Sequence, residues 1–444
     1  MGLTPVTDDG GKGPAVKRQQ LCENHAMANV LFVHNYFPGQ FGFLAEALVR
    51  SGDTVAALGG KTSQDLPGVS LVRWHNRRST TPHILPPAVR AEADMIRATA
   101  ALEAAIGLAD RGFVPDVIIG HPGWGETLYL KELWPQARLV LHAEFFYSAN
   151  NGDLGFDPEF GTVSLAERCR AVSKSATLAL AYTQADRLIA PTPFQAQTLP
   201  DVFQSRLTII HEGVDLRETR PTPETVITIG GKTFSRARPV VTFANRVLEP
   251  LRGCHTFFRS LPRILSQVAD VDIVIAGHET GAGYGADPPS GETWKSHFWK
   301  EIEDKVDPAR IHFVGWLPGR TLNALMSISA AHVYLTYPFV LSWSLLEAMA
   351  CEALVIASDT APLHDVIRDG QNGILVDFMD PHQLADAVIS AIRQPDRFSK
   401  RRRAARQTIL RHYDRERHGL PQWLEIIRSQ ASGPSRVNTN GGSP

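Results

Sequence analysis

Short apolar runs alternate with amphipathic stretches through most of the chain, the pattern that builds parallel sheets covered on both faces by helices. NVLFVH (Asn29–His34) predicts a first strand, FGFLAEALVRSG (Phe41–Gly52) a first helix and TVAALG (Thr54–Gly59) a second strand. VIIG (Val117–Gly120) and RLVLH (Arg138–His142) follow as strands, then a long helix over about Leu165–Tyr182, then RLIAP and LTIIHEGVD. A Pro/Thr-rich break over Thr219–Pro239 separates this unit from a second series. There the strands PVVTFAN, VDIVIAG, RIHFVGW, HVYLTY, ALVIAS and GILVD alternate with helices near His255–Ser266, Thr321–Ser327, Ser344–Cys351 and His382–Arg393. Two doubly wound domains form a clamshell, and ligands of such sheets lie beyond the carboxyl ends of the strands, in the cleft between the halves. The expected division is a flexible extension over 1–26, a first domain over 27–220, a linker over 221–238, a second domain over 239–410, a C-terminal helix over 411–430 with the option of returning to the first domain, and a flexible tail over 431–444. Met27, directly before the first strand, is an alternative start.

Charge narrows the class of partner. Among 444 residues, 45 Lys and Arg stand against 46 Asp and Glu, and only 20% of residues are charged. That balance excludes a nucleic-acid binder working by bulk charge and an acidic disordered protein, while the length and 43% hydrophobic content fit two or three packed domains. The four cysteines, Cys22, Cys169, Cys254 and Cys351, are far apart and form no metal-ligand pattern, as expected of buried thiols in a reducing compartment. No run approaches 18 apolar residues, and the first 26 residues are polar where a signal peptide needs its apolar segment. The expectation is a cytoplasmic protein without a bound metal. The basic run Lys400–Arg403, at the start of amphipathic Arg401–Ile427, is either a peripheral contact for anionic lipid or a solvated helix face.

Candidate chemistry gathers where strands end. The first turn, HNYFPGQFG, carries Gly39 and Gly42 around Gln40 and Phe41 but no G-x-G-x-x-G. Gly39 serves either its own torsion angles or the close approach of a phosphate or sugar oxygen to backbone N–H groups. His142 ends a strand, and HPGWGET brings His121, Trp124 and Glu126 to the same rim, where an indole suits the apolar face of a sugar or simply packs a helix. In the second half, ANRVLEPLRG places Arg246 and Arg252 around a proline turn, a forked pair suited to a diphosphate, with a surface ion pair to Glu249 as the plainer reading. YPFVLSWSLLEAMAC runs from strand end into helix, so Ser342 or Ser344 caps the helix beside Trp343 and its first-turn N–H groups can hold phosphate. Glu347, one turn on, is a carboxylate in an apolar helix, either for ribose hydroxyls or structural.

Taken in order, FPGQF, GHPGWGET, LH before an aromatic run, TPFQAQTLP, NRVLEPLRG, VGWLP, YPFVLSWSLLEAMA and SDTAPLHDVI resemble the retaining glycosyltransferases of family 4, over about Ala28–Ile427. The resemblance implies the GT-B fold, two Rossmann-like domains facing a cleft, and transfer of a hexose from a nucleoside-diphosphate sugar, used as co-substrate, to a hydroxyl acceptor that the sequence does not identify, without a metal or other cofactor. It implies that Arg246 and Arg252 neutralise the diphosphate, that Glu347 holds the ribose, that Gly315, Trp316 and Leu317 contact the base, that His142 meets the donor hexose and that Gly39 lies near donor phosphate and acceptor. The acceptor is then expected near Gln40, Phe41, His121, Trp124 and Glu126. One departure stands out: the first carboxylate of the family's E-x7-E element falls at position 339, which is Phe339 here. Backbone groups at Val340–Ser342 are one replacement for its role in orienting the sugar. A nucleotide-binding subunit without catalysis and a nucleotide-sugar epimerase of the same fold are the alternatives.

Overall fold

A computed structural model describes residues 27–281 and 283–429. The expected extension, tail and Cys22 lie outside the described residues.

The first sheet has seven parallel strands: β1 (Asn29–His34), β2 (Thr54–Gly59), β3 (Val69–Arg73), β4 (Val117–Gly120), β5 (Arg138–His142), β6 (Arg187–Ala190) and β7 (Leu207–Ile209), in the order β3-β2-β1-β4-β5-β6-β7. The order reverses between β1 and β4, so the ends of β1, β4 and β5 open beside one another. Unbroken burial along β4, and along all but the first residue of β1, explains their continuous apolar runs. Helices α1 (Gly42–Arg50), α2 (Val89–Ala109), α3 (Leu165–Lys174) and α4 (Ala176–Gln184) belong to this half. The helix expected over Leu165–Tyr182 is two helices that part at Ser175, whose hydroxyl donates to the Tyr147 carbonyl at 2.8 Å.

Part of the expected linker folds. Strands β8 (Ile227–Ile229) and β9 (Lys232–Phe234) form an antiparallel hairpin, and Phe234 is buried in the core of the second half. The second sheet is also parallel, in the order β12-β11-β10-β13-β14-β15, with β10 (Val240–Val247), β11 (Asp272–His278), β12 (Ile311–Gly315), β13 (Ala331–Tyr334), β14 (Val355–Ser358) and β15 (Ile374–Val376). Helices α5 (Cys254–Gln267), α6 (Gly319–Ile328), α7 (Trp343–Ala350), α8 (Pro381–Arg393) and α9 (Ser399–His412) accompany it. The chain then crosses back. Val214 and Arg415 exchange backbone hydrogen bonds with Tyr413 and Val214, and α10 (Leu420–Arg428) buries Trp423 and Ile427 in the first domain's core. Arg138 fastens this helix by donating to the carbonyls of Ile426 and Ile427.

Half of the basic run in α9 packs on protein. Arg402 donates to the carbonyls of Ser329 and Ala330, Arg401 to that of Gly370 and, one turn on, Arg406 to that of Ala350. Desolvation by burial lowers the Arg402 pKa to about 10, while Lys400 and Arg403 of the same run are exposed. Cys254 and Cys351 are buried, whereas Cys169 is exposed. Among the described residues, no helix is long and apolar enough to cross a membrane.

Candidate active site

Three histidines meet at the carboxyl ends of β1, β4 and β5. His121 and His142 stack with ring centroids 5.5 Å apart, and His34 stands edge-on to His121 at 5.4 Å. Burial, reinforced by the neighbouring imidazoles, lowers the pKa of His34 to about 3. Burial likewise lowers that of His142 to about 4, so both are neutral at physiological pH. The His142 Nδ1 lies 3.4 Å from the Gln40 amide nitrogen, while its buried Nε2 meets no hydrogen-bond partner. Gly39 explains itself here: with φ at +49°, a Cβ would stand 2.6 Å from the His34 ring.

Two expected acceptor contacts lie behind this surface. Phe41 is 1% exposed and packs in the first domain's core against His34, His142 and Trp423. Glu126 is wholly buried, accepts from the Asn35 amide at 3.0 Å and leaves its second oxygen unpaired. Both brace the histidines from within. Trp124 does reach the rim, half-buried against His121 at 4.8 Å and Tyr36 at 5.3 Å.

Desolvation holds the Glu126 carboxyl up at about 7, from an ordinary value near 4.5. A carboxyl raised in the folded state gives stability that is complete below pH 4.5 and drains away as pH rises toward 7, by up to about 1.4 kcal/mol per pH unit. Glu126→Gln is therefore expected to remove that slope, so that its urea midpoint gains on wild type between pH 5 and pH 7.5. A constant difference between the two proteins would reject the buried neutral acid.

On the facing domain, Arg252 is 5% exposed at the turn after β10. Its guanidinium donates to Thr336 Oγ1 at 2.9 Å and the Val340 carbonyl at 3.0 Å, and reaches the Tyr334 hydroxyl at 3.4 Å. That hydroxyl also accepts from the Ser342 amide at 2.8 Å, joining the arginine to the start of α7. Two of the backbone groups at Val340–Ser342 that were expected to orient a sugar are thus occupied within the protein. Ser342 occupies the N-cap position of α7 without capping it; its hydroxyl pairs with Ser344 Oγ at 2.7 Å, and the first-turn amides receive no side chain. Arg246 is exposed, with its guanidinium carbon 4.4 Å from the Tyr284 ring centroid; that of Arg252 is 5.5 Å from the same centroid. Glu249 accepts from the Tyr284 and Gly285 amides at 2.8 and 2.9 Å and so fixes the loop carrying that ring.

Glu347 lies one turn into α7, where burial raises its carboxyl pKa, and shares a cavity of about 400 Å³ with His211, Trp343, Arg320 and Arg415. Of the residues expected at the base, Gly315 has φ +66° and Trp316 is exposed, but the Leu317 side chain belongs to the core. A residue that sequence reasoning passed over ties the halves together: Glu212, buried, accepts from the Trp343 indole at 2.8 Å. Burial alone would raise its pKa, but His211 and His142 bring it below the ordinary carboxylate value. His34 and Glu212 were present in the sequence as a strand terminus and as HEGVD, with nothing local to mark either as functional.

Phe339 is 3% exposed and bridges the domains, 4.8 Å from Phe145 of the first and 5.0 Å from Tyr284 of the second. A polar clasp lies nearby: Asp157 holds His255 at 2.9 Å, and Glu159 holds Arg259 at 2.6 Å. Asp157, Glu159 and His255 are close enough to share a cation, but each is already engaged in these pairs.

Comparison with known proteins agrees with this architecture. Residues 51–219 match the family described as "Glycosyl transferase family 4 group", and residues 231–409 match "Glycosyl transferases group 1". A D-inositol 3-phosphate glycosyltransferase of Nocardioides sp. is 28% identical over 261 residues, covering 55% of this chain and 54% of that protein. The chain spans about half the length of the curated relatives it matches. Among solved structures, a sucrose-phosphate synthase from Thermosynechococcus elongatus superposes with a TM-score of 0.67 at 16% identity, over 90% of this chain and 98% of that one. Anabaena HepE in complex with UDP and glucose gives 0.62 at 15% identity, over 91% and 100%. The two domains therefore have the GT-B fold.

Proposed function

The chain belongs to the family 4 glycosyltransferases, and from that premise we propose that it moves a hexose from a nucleoside-diphosphate sugar to a hydroxyl acceptor with retention at the anomeric carbon and without a metal ion. The observation that carries the reading is the buried guanidinium of Arg252 joined through the Tyr334 hydroxyl to the uncapped start of α7. Fixed positive charge and free amides side by side suit a departing pyrophosphate. Arg246 adds a second cation over the shared Tyr284 ring.

In the proposed step the acceptor oxygen bonds to the anomeric carbon as the bond from that carbon to the β-phosphate oxygen breaks. The acceptor's proton passes to the departing diphosphate, so no separate protein base is required. His142, held neutral, offers Nε2 to a donor hydroxyl, and closure of the domains brings it over the sugar. Glu347 takes the ribose, and Gly315 with Trp316 lies against the base. The structure of HepE with UDP and glucose supports a uridine diphosphate donor. Phe339 favours a second reading, a subunit that binds nucleotide without transfer.

Thermal unfolding with a panel of uridine and guanosine diphosphate sugars tests the proposal. At one hundred times its Kd, a true donor adds about 2.7 kcal/mol to the native state and raises Tm measurably, and transfer then proceeds equally with or without a chelator. A panel that moves nothing rejects the proposal; protection without turnover of the donor supports the binding subunit; loss of transfer on chelation rejects metal independence.

A further inference from the structure

Glu144 is a carboxylate of the cleft that the step described above leaves unused. It follows His142 by two positions, and the Ala143 amide still donates to the Ile189 carbonyl at 2.7 Å, so residues 142 and 144 share one side of the continuing strand. The Glu144 carbonyl accepts from the Gln195 side-chain amide at 2.7 Å, which fixes its place. Unlike the buried histidines beside it, its side chain is 43% exposed. Oε2 stands 3.5 Å from His121 Nε2, beyond ordinary hydrogen-bond length, and among the described residues that is its only ion-pair contact. His121 Nδ1 accepts from the Gly123 amide at 3.1 Å, so the ring carries its proton on Nε2, the nitrogen beside Glu144. Burial alone would raise the Glu144 pKa, but the neighbouring imidazoles, His121 foremost, bring it to about 2. The group is therefore ionised, with most of its lone pairs unclaimed.

Across the crevice, the Glu144 charge bears on Tyr284 of the second domain. That ring lies 4.4 and 5.5 Å from the guanidinium carbons of Arg246 and Arg252, and 5.0 Å from Phe339. Glu144 and the two arginines thus approach one ring from opposite domains. A carboxylate repels a diphosphate, so its complement is the uncharged part of the donor, the hexose joined to the β-phosphate. Hexose hydroxyls need acceptors. The second domain offers few here, because position 339 is an apolar ring and the Val340 carbonyl is taken by Arg252. A carboxylate can receive two neighbouring hydroxyls at once, one on each oxygen.

We propose that Glu144 is a donor-binding residue that receives hydroxyls of the hexose, performing from the first domain what Phe339 cannot perform from the second. The inference rests on the transferase reading above. It deepens that reading: one domain holds the nucleotide, the other holds the sugar, and the sugar is recognised only when the cleft is closed.

Titration calorimetry on the full chain with UDP, UDP-glucose, GDP and GDP-mannose tests this. Glu144→Gln keeps the shape and removes the charge, and is expected to weaken binding of the nucleotide sugar about tenfold. Glu144→Ala should weaken it at least as much, and Glu144→Asp should recover part of the loss. Affinity for the bare diphosphate should stay within about twofold of wild type in all three variants. Equal binding of the nucleotide sugar by wild type, Glu144→Gln and Glu144→Ala overturns the role of Glu144 and leaves the transferase reading intact. A loss as large for the diphosphate as for the nucleotide sugar is a structural effect and overturns the role too. Failure of all four ligands to bind wild type overturns the transferase premise and this inference together.

Discussion

Replacing Arg252 by alanine is expected to lower turnover by about 10²–10³, the usual effect of deleting one preorganised donor aimed at developing charge. The argument starts from burial. A guanidinium 5% exposed would be costly to hold unless its donors were satisfied, and Thr336, the Val340 carbonyl and the Tyr334 hydroxyl satisfy them in part. The same contacts hold residues 336–342 in place ahead of α7, so the substitution removes both the cation and a brace. Arg252→Lys separates the two, because an ammonium keeps the charge but loses the planar fork. Recovery of at least tenfold in kcat by lysine, with donor KM close to wild type, is the expected pattern. An alanine variant that folds and turns over normally ends the assignment of Arg252 to the leaving group.

Trp423→Ala is expected to cost about 3–5 kcal/mol, the range for truncating a large buried aromatic. The indole is 2% exposed, its ring centroid is 6.2 Å from that of Phe41, and Phe41 in turn lies 6.1 Å from His142. Truncation therefore leaves a cavity under the histidine cluster as well as loosening α10. Urea denaturation should show the lower midpoint, and Trp423→Phe should restore most of it. If alanine costs less than 1 kcal/mol, α10 is not an integral part of the first domain's core.

Elements buried on both faces were legible almost to the residue: β1, β2, β4 and β5 have the bounds their apolar runs predict. What escaped was weakly patterned. Edge strand β3 has an exposed residue among half-buried ones, and α2 buries mostly alanines, so neither presents the strong periodicity by which strands and helices are recognised. Hairpin β8–β9 is hidden in a Pro/Thr-rich stretch because three-residue strands are too short to show alternation. At the site, Arg252 and the start of α7 follow from strand-to-helix order alone. Glu212 does not, since its partner Trp343 lies 131 residues away and only the closed chain brings them together. Phe41 and Glu126 mislead for a related reason: lying next to a strand end in sequence does not reveal which side of the sheet a side chain takes.

The return of α10 to the first lobe has a consequence for how this polypeptide is made. Lobes are generally able to fold in the order in which the ribosome delivers them, but the apolar face of α1 that receives Trp423 and Ile427 has no cover until residues 420–428 have been synthesised. The earliest-made half is thus the last to be sealed, and a nascent chain stalled anywhere in the second lobe carries a hydrophobic scar available to chaperones.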